Sequence, residues 1–225
     1  DPQIRRLGRV PYATTLAEMV RFTATRTADT PDEIWFLEHP PVFTLGINAD
    51  RRHLVAPGDI PVVPVDRGGQ VTYHGPGQLV AYLLVDLRRA NLGIRDIVNA
   101  MENSIIATLG ECGITAHSRR GAPGVYVAEA KIAALGLRIR RGCSYHGLAL
   151  NVRMDLEPFS RINPCGFEGL EVTQLADLGG PSDPALVADA LEPKLIGALG
   201  LRWCGVPKQS LGVPRSRGSS LEQSE

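Results

Sequence analysis

The chain has 225 residues, and its 24 Lys and Arg side chains are balanced by 24 Asp and Glu side chains. This length suggests one large domain, or two small ones at most, and a formal net charge of zero argues against a protein that wraps nucleic acid. With 44% hydrophobic and 21% charged residues, the composition is that of a folded globular protein and not of a disordered chain.

The first part of the chain has the patterns of one helix and three strands. Thr15 and the Glu three residues later have the spacing of a capping box, which predicts a helix from Thr15 to about Thr27. The apolar runs 34–37 and 42–45 predict two buried strands around a proline break. Valines at 62, 63 and 65 predict a further short strand.

Residues 71–87 have the pattern of a β-hairpin. Strand-forming segments at 71–73 and 78–87 flank the sequence His74-Gly75-Pro76-Gly77. Because Gly and Pro supply the backbone angles that a chain reversal requires, we expect the two strands to pair across this turn.

The middle of the chain predicts one helix and a set of strands. Apolar residues recur at intervals of three and four between Gly93 and Cys112, which predicts a long amphipathic helix. The segments 125–127, 131–140 and 144–152 are rich in β-forming residues and are separated by short polar turns. They predict an antiparallel meander.

The last part of the chain predicts a helix and a tail. Ser182-Asp183-Pro184 is typical of a helix start, and an amphipathic pattern follows it. Pro193 should kink or split this helix, because proline lacks the N–H group that a helix interior needs. From Gln209 to Glu225 apolar residues are few, which predicts a frayed tail.

The cysteines and the lack of a long apolar run indicate the cellular compartment of the protein. No apolar run reaches the roughly 18 residues of a membrane span, and the charged opening of the chain does not resemble a signal peptide. Cys112, Cys143, Cys165 and Cys204 include no pair at the spacing of a zinc site or a redox motif. Free thiols fit a reducing compartment, so we expect a cytoplasmic protein without a metal site.

The densest group of special residues is the stretch RGGQVTYHGPG at 67–77. Such a stretch either turns tightly or lets a ligand touch the backbone, and composition alone leaves both interpretations open. It is not a dinucleotide fingerprint, because the glycine spacing differs and no helix follows. It is not a phosphate loop either, because no Lys-Ser or Lys-Thr pair follows the glycines.

Cys165 and Lys131 are the candidates for nucleophilic chemistry. Cys165 lies in a turn-like sequence, INPCG at 162–166, and a thiol needs a nearby cation or base to become a nucleophile at neutral pH. Lys131 is the only lysine before Lys194, and a lysine, unlike an arginine, is able to give up a proton. The alternative for Lys131 is an ammonium group that simply extends to the solvent.

His74 and His146 are further candidates for the base beside the cysteine. Each lies next to a glycine, where a histidine is more often a hydrogen-bonded structural residue than a catalyst. His39 precedes two prolines and is expected to be structural. A serine-hydrolase site finds no support, because the Gly-x-Ser-x-Gly elbow is missing, and the histidines and carboxylates lack the spacing of metal ligands.

Three motifs resemble those of the lipoate-protein ligase B family of octanoyl-[acyl-carrier-protein]:protein octanoyltransferases. They are RGGQVTYHGPG at 67–77, the GVYV, ALGLRIRRG and SYHGLALN segments that begin at Gly124, and INPCG at 162–166. The sequence LEHPPVFTLG at 37–46 also matches, so the resemblance covers roughly residues 5–175.

The resemblance implies a single α/β domain of the α+β type, with a mixed, largely antiparallel sheet and flanking helices as in biotin and lipoate protein ligases. We expect this domain to span residues 1–208, followed by a flexible tail at 209–225. The implied reaction transfers an octanoyl or lipoyl group from acyl carrier protein to the lysine of lipoyl domains through a cysteine thioester. The implied acceptors are the E2 subunits of 2-oxoacid dehydrogenases and the glycine cleavage H protein. No cofactor is implied beyond the carrier's phosphopantetheine.

The family pattern also implies a set of site residues. The catalytic pair falls on Cys165 and Lys131. The substrate contacts fall on Arg67, Gly68, Gly69, Gln70, Val71, Thr72, Tyr73, His74, Ala134, Leu135, Gly136, Gly147, Leu148 and Ala149.

Two other classes of function are also compatible with these residues. A non-catalytic module that binds acyl carrier protein or lipoyl domains would need the pocket but not the catalytic pair, and a cysteine thioester hydrolase would release free acid. Arg138 and Arg140 alternate with apolar residues on a predicted strand. They form either a solvated face or a docking face for an acidic carrier protein.

Overall fold

The computed structural model describes residues 1–163, 169–202 and 211. The strands described are β1 (Gln3–Arg9), β2 (Glu33–Glu38), β3 (Val42–Leu45), β4 (Val62–Pro64), β5 (Val71–His74), β6 (Gln78–Leu84), β7 (His117–Ser118), β8 (Gly124–Val127), β9 (Ala130–Arg140) and β10 (Cys143–Asn151). The helices are α1 (Tyr12–Thr25), α2 (Ile94–Glu111) and α3 (Pro184–Ala198). The predicted domain end at 208 lies outside the described residues, as does the predicted tail apart from Leu211.

Seven strands form one mixed sheet in the order β1-β2-β6-β10-β9-β8-β7. β1 runs parallel to β2, and the other neighbouring pairs are antiparallel. The predicted meander is confirmed in β8, β9 and β10, and the predicted helix between Gly93 and Cys112 is confirmed in α2. The fold is thus the mixed, largely antiparallel α/β domain that was expected.

Side chains of the large sheet alternate between its two faces. On β2, Ile34 and Phe36 join a core cluster with side chains of α2 and α3, whereas Trp35 and Leu37 join a second cluster with Met19 of α1. This alternation follows from the two-residue period of a strand. Helices therefore cover both faces of the sheet.

β5 and β6 do not pair with each other, so the predicted hairpin is wrong. β5 pairs with β3 in a small sheet of order β4-β3-β5, and β6 lies between β2 and β10 in the large sheet. All seven residues of β6 are buried, and both of its edges are occupied, which leaves no edge for β5. The turn at 75–77 instead carries the chain from the small sheet into the large one.

Gly77 shows why this crossing requires a glycine. Its φ is +85°, and a Cβ atom there would lie 1.7 Å from the carbonyl oxygen of Arg153. Any L side chain would therefore meet both backbone strain and a clash. The N–H group of Gly77 donates to Glu38 Oε2 (2.6 Å), which ties the crossing to the end of β2.

Two helix predictions differ from the structure. α1 begins at Tyr12, before the predicted capping residue, and the hydroxyl of Thr15 donates to the carbonyl of Pro11 (2.8 Å). Thr15 therefore bonds back along the helix and does not cap it. α3 continues through Pro193, so of the two expected effects of this proline the split is not found. The buried Leu191 and Leu195 on either side stabilise the helix and offset the missing backbone hydrogen bond.

β1 has no counterpart among the predicted elements. It is an edge strand that carries Arg5, Arg6 and Arg9, and basic side chains are typical of strands whose outer edge is left unpaired. The arginines of β1 interrupt the alternation of apolar and polar residues from which strands are predicted.

None of the three described helices is both long and apolar enough to cross a membrane.

Candidate active site

The glycine-rich loop after β4 is held in place by Arg67. This guanidinium is buried, and its Nη2 donates to the carbonyl and the hydroxyl of Thr44 (3.0 and 2.8 Å) and to the carbonyl of Gln70 (3.0 Å). Its Nη1 donates to the carbonyl of Gly68 (2.9 Å). A planar group with several donors suits this task, because it satisfies several carbonyl oxygens of one loop at once.

A narrow slot lies beside this loop, between the middle of the large sheet and the start of α1. Its walls come from five segments of the chain: Tyr12, Arg67, Thr72, His74, Val80, Tyr82, Ala134, Leu135, Gly136, His146, Gly147, Leu148 and Ala149. Nine of these are predicted substrate contacts. Tyr12, Val80 and Tyr82 were missed, because their sequence patterns are those of ordinary core residues of a helix and a strand.

Two glycines that face each other across β9 and β10 form part of the slot. Gly136 pairs with Gly147. A Cβ atom on Gly147 would lie 2.1 Å from the carbonyl oxygen of Ala81, and one on Gly136 would lie 3.1 Å from that of Gly68. The glycines thus allow neighbouring backbone segments to approach β9 and β10 closely.

Lys131 lies beyond the slot, near the start of β9. Its side chain is buried, and Nζ donates to the carbonyl of Pro123 (3.0 Å) and lies 5.5 Å from the centre of the Tyr126 ring. The solvent-extended alternative for this lysine is therefore wrong. Lys131 lines a small cavity together with Thr72 and Ala134, which also line the slot. The cavity that Lys131 lines and the slot are thus neighbours.

The remaining predicted contacts lie around these two cavities. Gly68, Gly69 and Gln70 line a third cavity of about 370 Å³ beside α2, together with Leu135 and Gly136. Val71 lines the cavity of Lys131. Tyr73 is buried and packs against Phe43 and Phe159, which gives it a place in the core of the small sheet.

The predicted nucleophile Cys165 lies outside the described residues. The chain on both sides of it is described. Asn163 donates its N–H to the carbonyl of His53 (2.8 Å), and the carbonyl of Glu171 accepts the N–H of Lys131 (2.8 Å). Glu171, six residues after Cys165 in the sequence, is thus hydrogen-bonded to the backbone of Lys131.

Two buried histidines near the slot are neutral hydrogen-bonding residues. His39 Nε2 is 2.8 Å from the hydroxyl of Tyr82, and Nδ1 is 2.7 Å from the carbonyl of Val10. His74 Nδ1 donates to Gln78 Oε1 (2.7 Å). Burial lowers the pKa of His39 to about 4 and that of His74 to about 3. The structural interpretation of His39 thus agrees with its contacts.

His146 is joined to Asp66 in a strained part of β10. Its φ is +61°, which places two successive rings, Tyr145 and His146, side by side with centres 5.1 Å apart. His146 Nε2 is 3.2 Å from Asp66 Oδ1, and the Tyr145 hydroxyl donates to Asp66 Oδ2. The hydrogen bond to His146 holds the pKa of Asp66 at about 2, whereas burial lowers the pKa of His146. Burial therefore outweighs the hydrogen bond to Asp66, which acts in the opposite direction and raises the pKa of the imidazole.

We expect the free energy of unfolding to fall as the pH drops from about 6.5 to 4. In the unfolded chain His39 titrates near 6.5, whereas burial keeps its folded pKa at about 4. Between these values the unfolded chain binds more protons, so stability is lost as the pH falls, by on the order of 3 kcal/mol for His39. Urea unfolding at pH 7.5 and pH 4.5 measures this difference.

His39→Gln should reduce this pH dependence, because glutamine keeps a polar group beside Tyr82 but does not titrate. His117 is exposed on β7 and provides the matched control, since His117→Gln should leave the dependence unchanged. An equal loss of stability on acidification in all three proteins would contradict a neutral, buried His39.

The class of the protein follows from its family. The family described as "Lipoyl protein ligase A/B catalytic domain" matches residues 11–196. The chain therefore belongs to this family, as the resemblance predicts.

Two curated relatives define its place within the family. An octanoyltransferase of Cellvibrio japonicus is 62% identical over 181 residues, which are 80% of this chain and 84% of that protein. An octanoyltransferase of Pseudomonas fluorescens is 59% identical over 192 residues, which are 85% and 89% of the two chains. The protein is an acyltransferase of the lipoyl protein ligase A/B family.

Solved structures with low identity share the fold. The crystal structure of lipoate-protein ligase A bound with ATP is similar with a TM-score of 0.75 at 17% identity, over 90% of this chain and 87% of that chain. A biotin protein ligase from Aquifex aeolicus in complex with biotin and ATP has a TM-score of 0.54 at 12% identity, over 88% and 70%. The predicted biotin and lipoate ligase-like fold is thus confirmed.

Proposed function

We propose that this enzyme transfers an octanoyl group, or a lipoyl group, from acyl carrier protein to the acceptor lysine of lipoyl domains through a thioester on Cys165. The octanoyltransferases to which it is similar support the reaction class. The observation that carries the chemistry is the buried ammonium of Lys131 beside an apolar slot. A buried cation next to a substrate pocket is a place where a thiol becomes a thiolate.

In the first half of the reaction, the thiolate of Cys165 attacks the carbonyl of the octanoyl thioester. A new S–C bond forms on Cys165, and the bond to the sulfur of the carrier's phosphopantetheine breaks. The carrier leaves as a thiol after its sulfur takes up a proton from the ammonium of Lys131, which leaves Lys131 neutral. Because the donor is already a thioester, the reaction needs no ATP and no further cofactor.

In the second half, the acceptor lysine attacks the thioester on Cys165. An amino group with a pKa of about 10.4 in water is mostly protonated at neutral pH, so it must lose a proton before it attacks. Lys131 in its neutral form accepts this proton. The C–N bond of the amide forms as its nitrogen loses a second proton to the solvent, the S–C bond breaks, and Cys165 leaves as a thiolate beside the ammonium of Lys131.

The slot supplies binding energy for the acyl chain. Its lining is largely apolar and includes the small residues Ala134, Gly136, Gly147 and Ala149, so an alkyl chain bound there is buried against apolar groups. At about 0.8 kcal/mol per buried CH₂, six methylenes contribute about 5 kcal/mol. This is enough to select an acyl group over none. One methylene more or less changes the binding free energy by only about 1 to 3 kcal/mol, so selection of chain length is weaker.

The proposed acceptors are lipoyl domains of 2-oxoacid dehydrogenase E2 subunits and the glycine cleavage H protein. A protein of similar fold, a bipartite lipoate protein ligase studied with its E2 lipoyl domain from Thermoplasma acidophilum, supports an E2 acceptor. The H protein is proposed from the family resemblance alone. A cytoplasmic location is proposed on the same grounds, since such acceptors and acyl carrier protein must meet the enzyme in one compartment.

Mass spectrometry after incubation with octanoyl-acyl carrier protein tests this function. We expect an octanoyl thioester on the peptide that contains Cys165, and its disappearance when an apo lipoyl domain is added, with a mass increase on the domain. A non-catalytic binding module would give no adduct. A thioester hydrolase would give free octanoate and no modified domain.

Arg138 and Arg140 are the proposed docking residues for the acidic carrier. Both are exposed, and neither forms an ion pair within the described part of the chain. Leu137 and Ile139 pack against the core on the opposite face of β9. At about 3.3 Å per residue, Arg138 lies roughly 7 Å from Gly136 of the slot along the strand.

We expect the single substitutions Arg138→Glu and Arg140→Glu to raise the KM for octanoyl-acyl carrier protein about tenfold at low salt, with little change for a small octanoyl thioester. Surface charges act mainly on association, and salt screens them within about 10 Å at 0.1 M. Steady-state kinetics at 20 and 300 mM salt measure both effects.

Arg21→Glu on the exposed face of α1 is the matched control, because it reverses one surface charge elsewhere. Its KM should stay near that of the parent. An equal rise in KM for both octanoyl donors, or a rise that salt does not change, would mean that Arg138 and Arg140 support the fold. The carrier would then dock on another surface.

A further inference from the structure

One peptide group joins a buried carboxylate to the buried ammonium of Lys131. The carbonyl of Pro123 accepts a hydrogen bond from Lys131 Nζ (3.0 Å). The N–H of Gly124, at the other end of the same peptide group, donates to Glu102 Oε1 (3.0 Å). Glu102 lies on α2 and is 8% exposed, so its carboxyl group lies on the core side of that helix.

Gly124 fits this arrangement because a side chain there would displace Lys131. A Cβ atom on Gly124 would lie 2.5 Å from Lys131 Cε and 2.7 Å from the carbonyl oxygen of Ala133. The φ of Gly124 is +146°, a backbone conformation that few L residues adopt. The lysine side chain is therefore packed directly over the peptide group that Glu102 holds.

We propose that Glu102 is a positioning residue that places the Lys131 ammonium by orienting the peptide group between Pro123 and Gly124. The proposal rests on the catalytic role proposed for Lys131. Glu102 does not reach the substrate in this scheme, and it acts through the backbone alone.

The reason lies in the polarity of a peptide group. If the group between Pro123 and Gly124 turned over, its carbonyl would face the carboxylate of Glu102 and its N–H would face the ammonium of Lys131. Both ends would then be repulsive, and two charged groups would lose hydrogen bonds that are stronger than neutral ones. In the observed orientation, each hydrogen bond polarises the group in the sense that strengthens the other.

The geometry predicts different values of kcat for a substitution of Glu102 that keeps the hydrogen-bond acceptor for the N–H of Gly124 and for one that removes it. In Glu102→Gln, the amide oxygen still accepts the N–H of Gly124, so kcat should stay within about threefold of the parent. In Glu102→Leu no acceptor remains, and a displaced catalytic group lowers kcat by about 10- to 100-fold. The KM for a small octanoyl thioester should change little in either variant.

Alkylation of Cys165 separates positioning from simple loss of structure. The rate of carbamidomethylation of the peptide with Cys165 is measured by mass spectrometry between pH 5 and 10. If Lys131 is displaced in Glu102→Leu, its ammonium no longer stabilises the thiolate fully, and the midpoint of the pH profile should rise by about one unit. Partial unfolding would instead change the amplitude of alkylation, since an unfolded fraction reacts as an ordinary thiol.

Two controls make the test specific. Glu111→Leu removes another glutamate of α2, one that pairs with Lys194 (2.8 Å) at the far end of the helix, and should leave the midpoint unchanged. In a Lys131→Met background, Glu102→Leu should add no further shift, because its effect passes through Lys131. The exposed acidic neighbours Glu129 and Glu171 are the same in every variant.

The outcomes distinguish this proposal from the function on which it rests. If Lys131→Met itself leaves the midpoint unchanged, the proposed role of Lys131 fails. If Lys131→Met shifts the midpoint but Glu102→Leu does not, or if Glu102→Leu shifts it equally in the Lys131→Met background, the positioning role of Glu102 is overturned.

Discussion

Cys165→Ser is expected to abolish the acyl-enzyme and to lower turnover by about three orders of magnitude or more. A serine hydroxyl beside a lysine remains protonated at neutral pH, whereas a cysteine thiol in the same place forms a thiolate. No octanoyl adduct should be found on the peptide with residue 165. Intact-protein mass spectrometry with octanoyl-acyl carrier protein, together with transfer to an apo lipoyl domain, measures both losses.

Cys112→Ser and Cys143→Ser are the matched controls for this experiment. Cys143 is buried and Cys112 is half-buried, and burial raises the pKa of both thiols. Such thiols are poor nucleophiles at neutral pH, so both variants should keep near-normal turnover. Adduct formation on either of these cysteines in Cys165→Ser, with turnover retained, would contradict the assignment of Cys165.

Lys131→Arg is expected to lower kcat for transfer to the lipoyl domain by about 10²- to 10⁴-fold, although the positive charge survives. The guanidinium still favours the thiolate, but it is not able to accept a proton at neutral pH. It is also larger than an ammonium, and Lys131 is packed against Gly124 and the carbonyl of Pro123. Single-turnover kinetics should therefore show a slow second half-reaction in particular.

Lys131→Met removes both the charge and the proton acceptor, so it should slow both halves of the reaction. Lys194→Arg on α3, where the lysine pairs with Glu111, tests for a general effect of replacing lysine with arginine and should leave both halves unchanged. If Lys131→Arg turned over as fast as the parent, Lys131 would act through its charge alone, and the proton from the acceptor lysine would go elsewhere.

Much of the candidate site was predictable from the sequence because its residues lie in short, unusual motifs. Arg67, Thr72, His74 and the segments around Gly136 and Gly147 all line the slot. The contributions of Tyr12 and Tyr82 were not predictable, because an aromatic residue on a helix or a strand is most often an ordinary core residue. Only their packing beside His39 and His74 places them at a pocket.

The helix of residues 94–111 and the strands from 124 to 151 follow from local periodicity, since each buries one continuous set of side chains. The hairpin prediction failed for a non-local reason. A Gly-Pro-Gly turn permits a reversal, but pairing depends on which edges are free, and both edges of β6 are occupied by β2 and β10. Strand partners are chosen by the whole sheet, and local turn residues do not encode that choice.

By itself, the sequence determined the class of fold, the family and the residue types of the chemistry, because periodicity and rare motifs are local properties of the chain. Only the tertiary structure decided that β5 and β6 belong to different sheets, that Lys131 is buried beside the slot, and that Glu102 reaches the peptide group that Lys131 contacts. These features depend on contacts between segments 20 or more residues apart, or between strands whose pairing is set by burial. A carboxylate on a helix is expected to be a surface residue from its pattern, and burial against a backbone N–H 22 residues away is what brings Glu102 to the peptide group that Lys131 contacts.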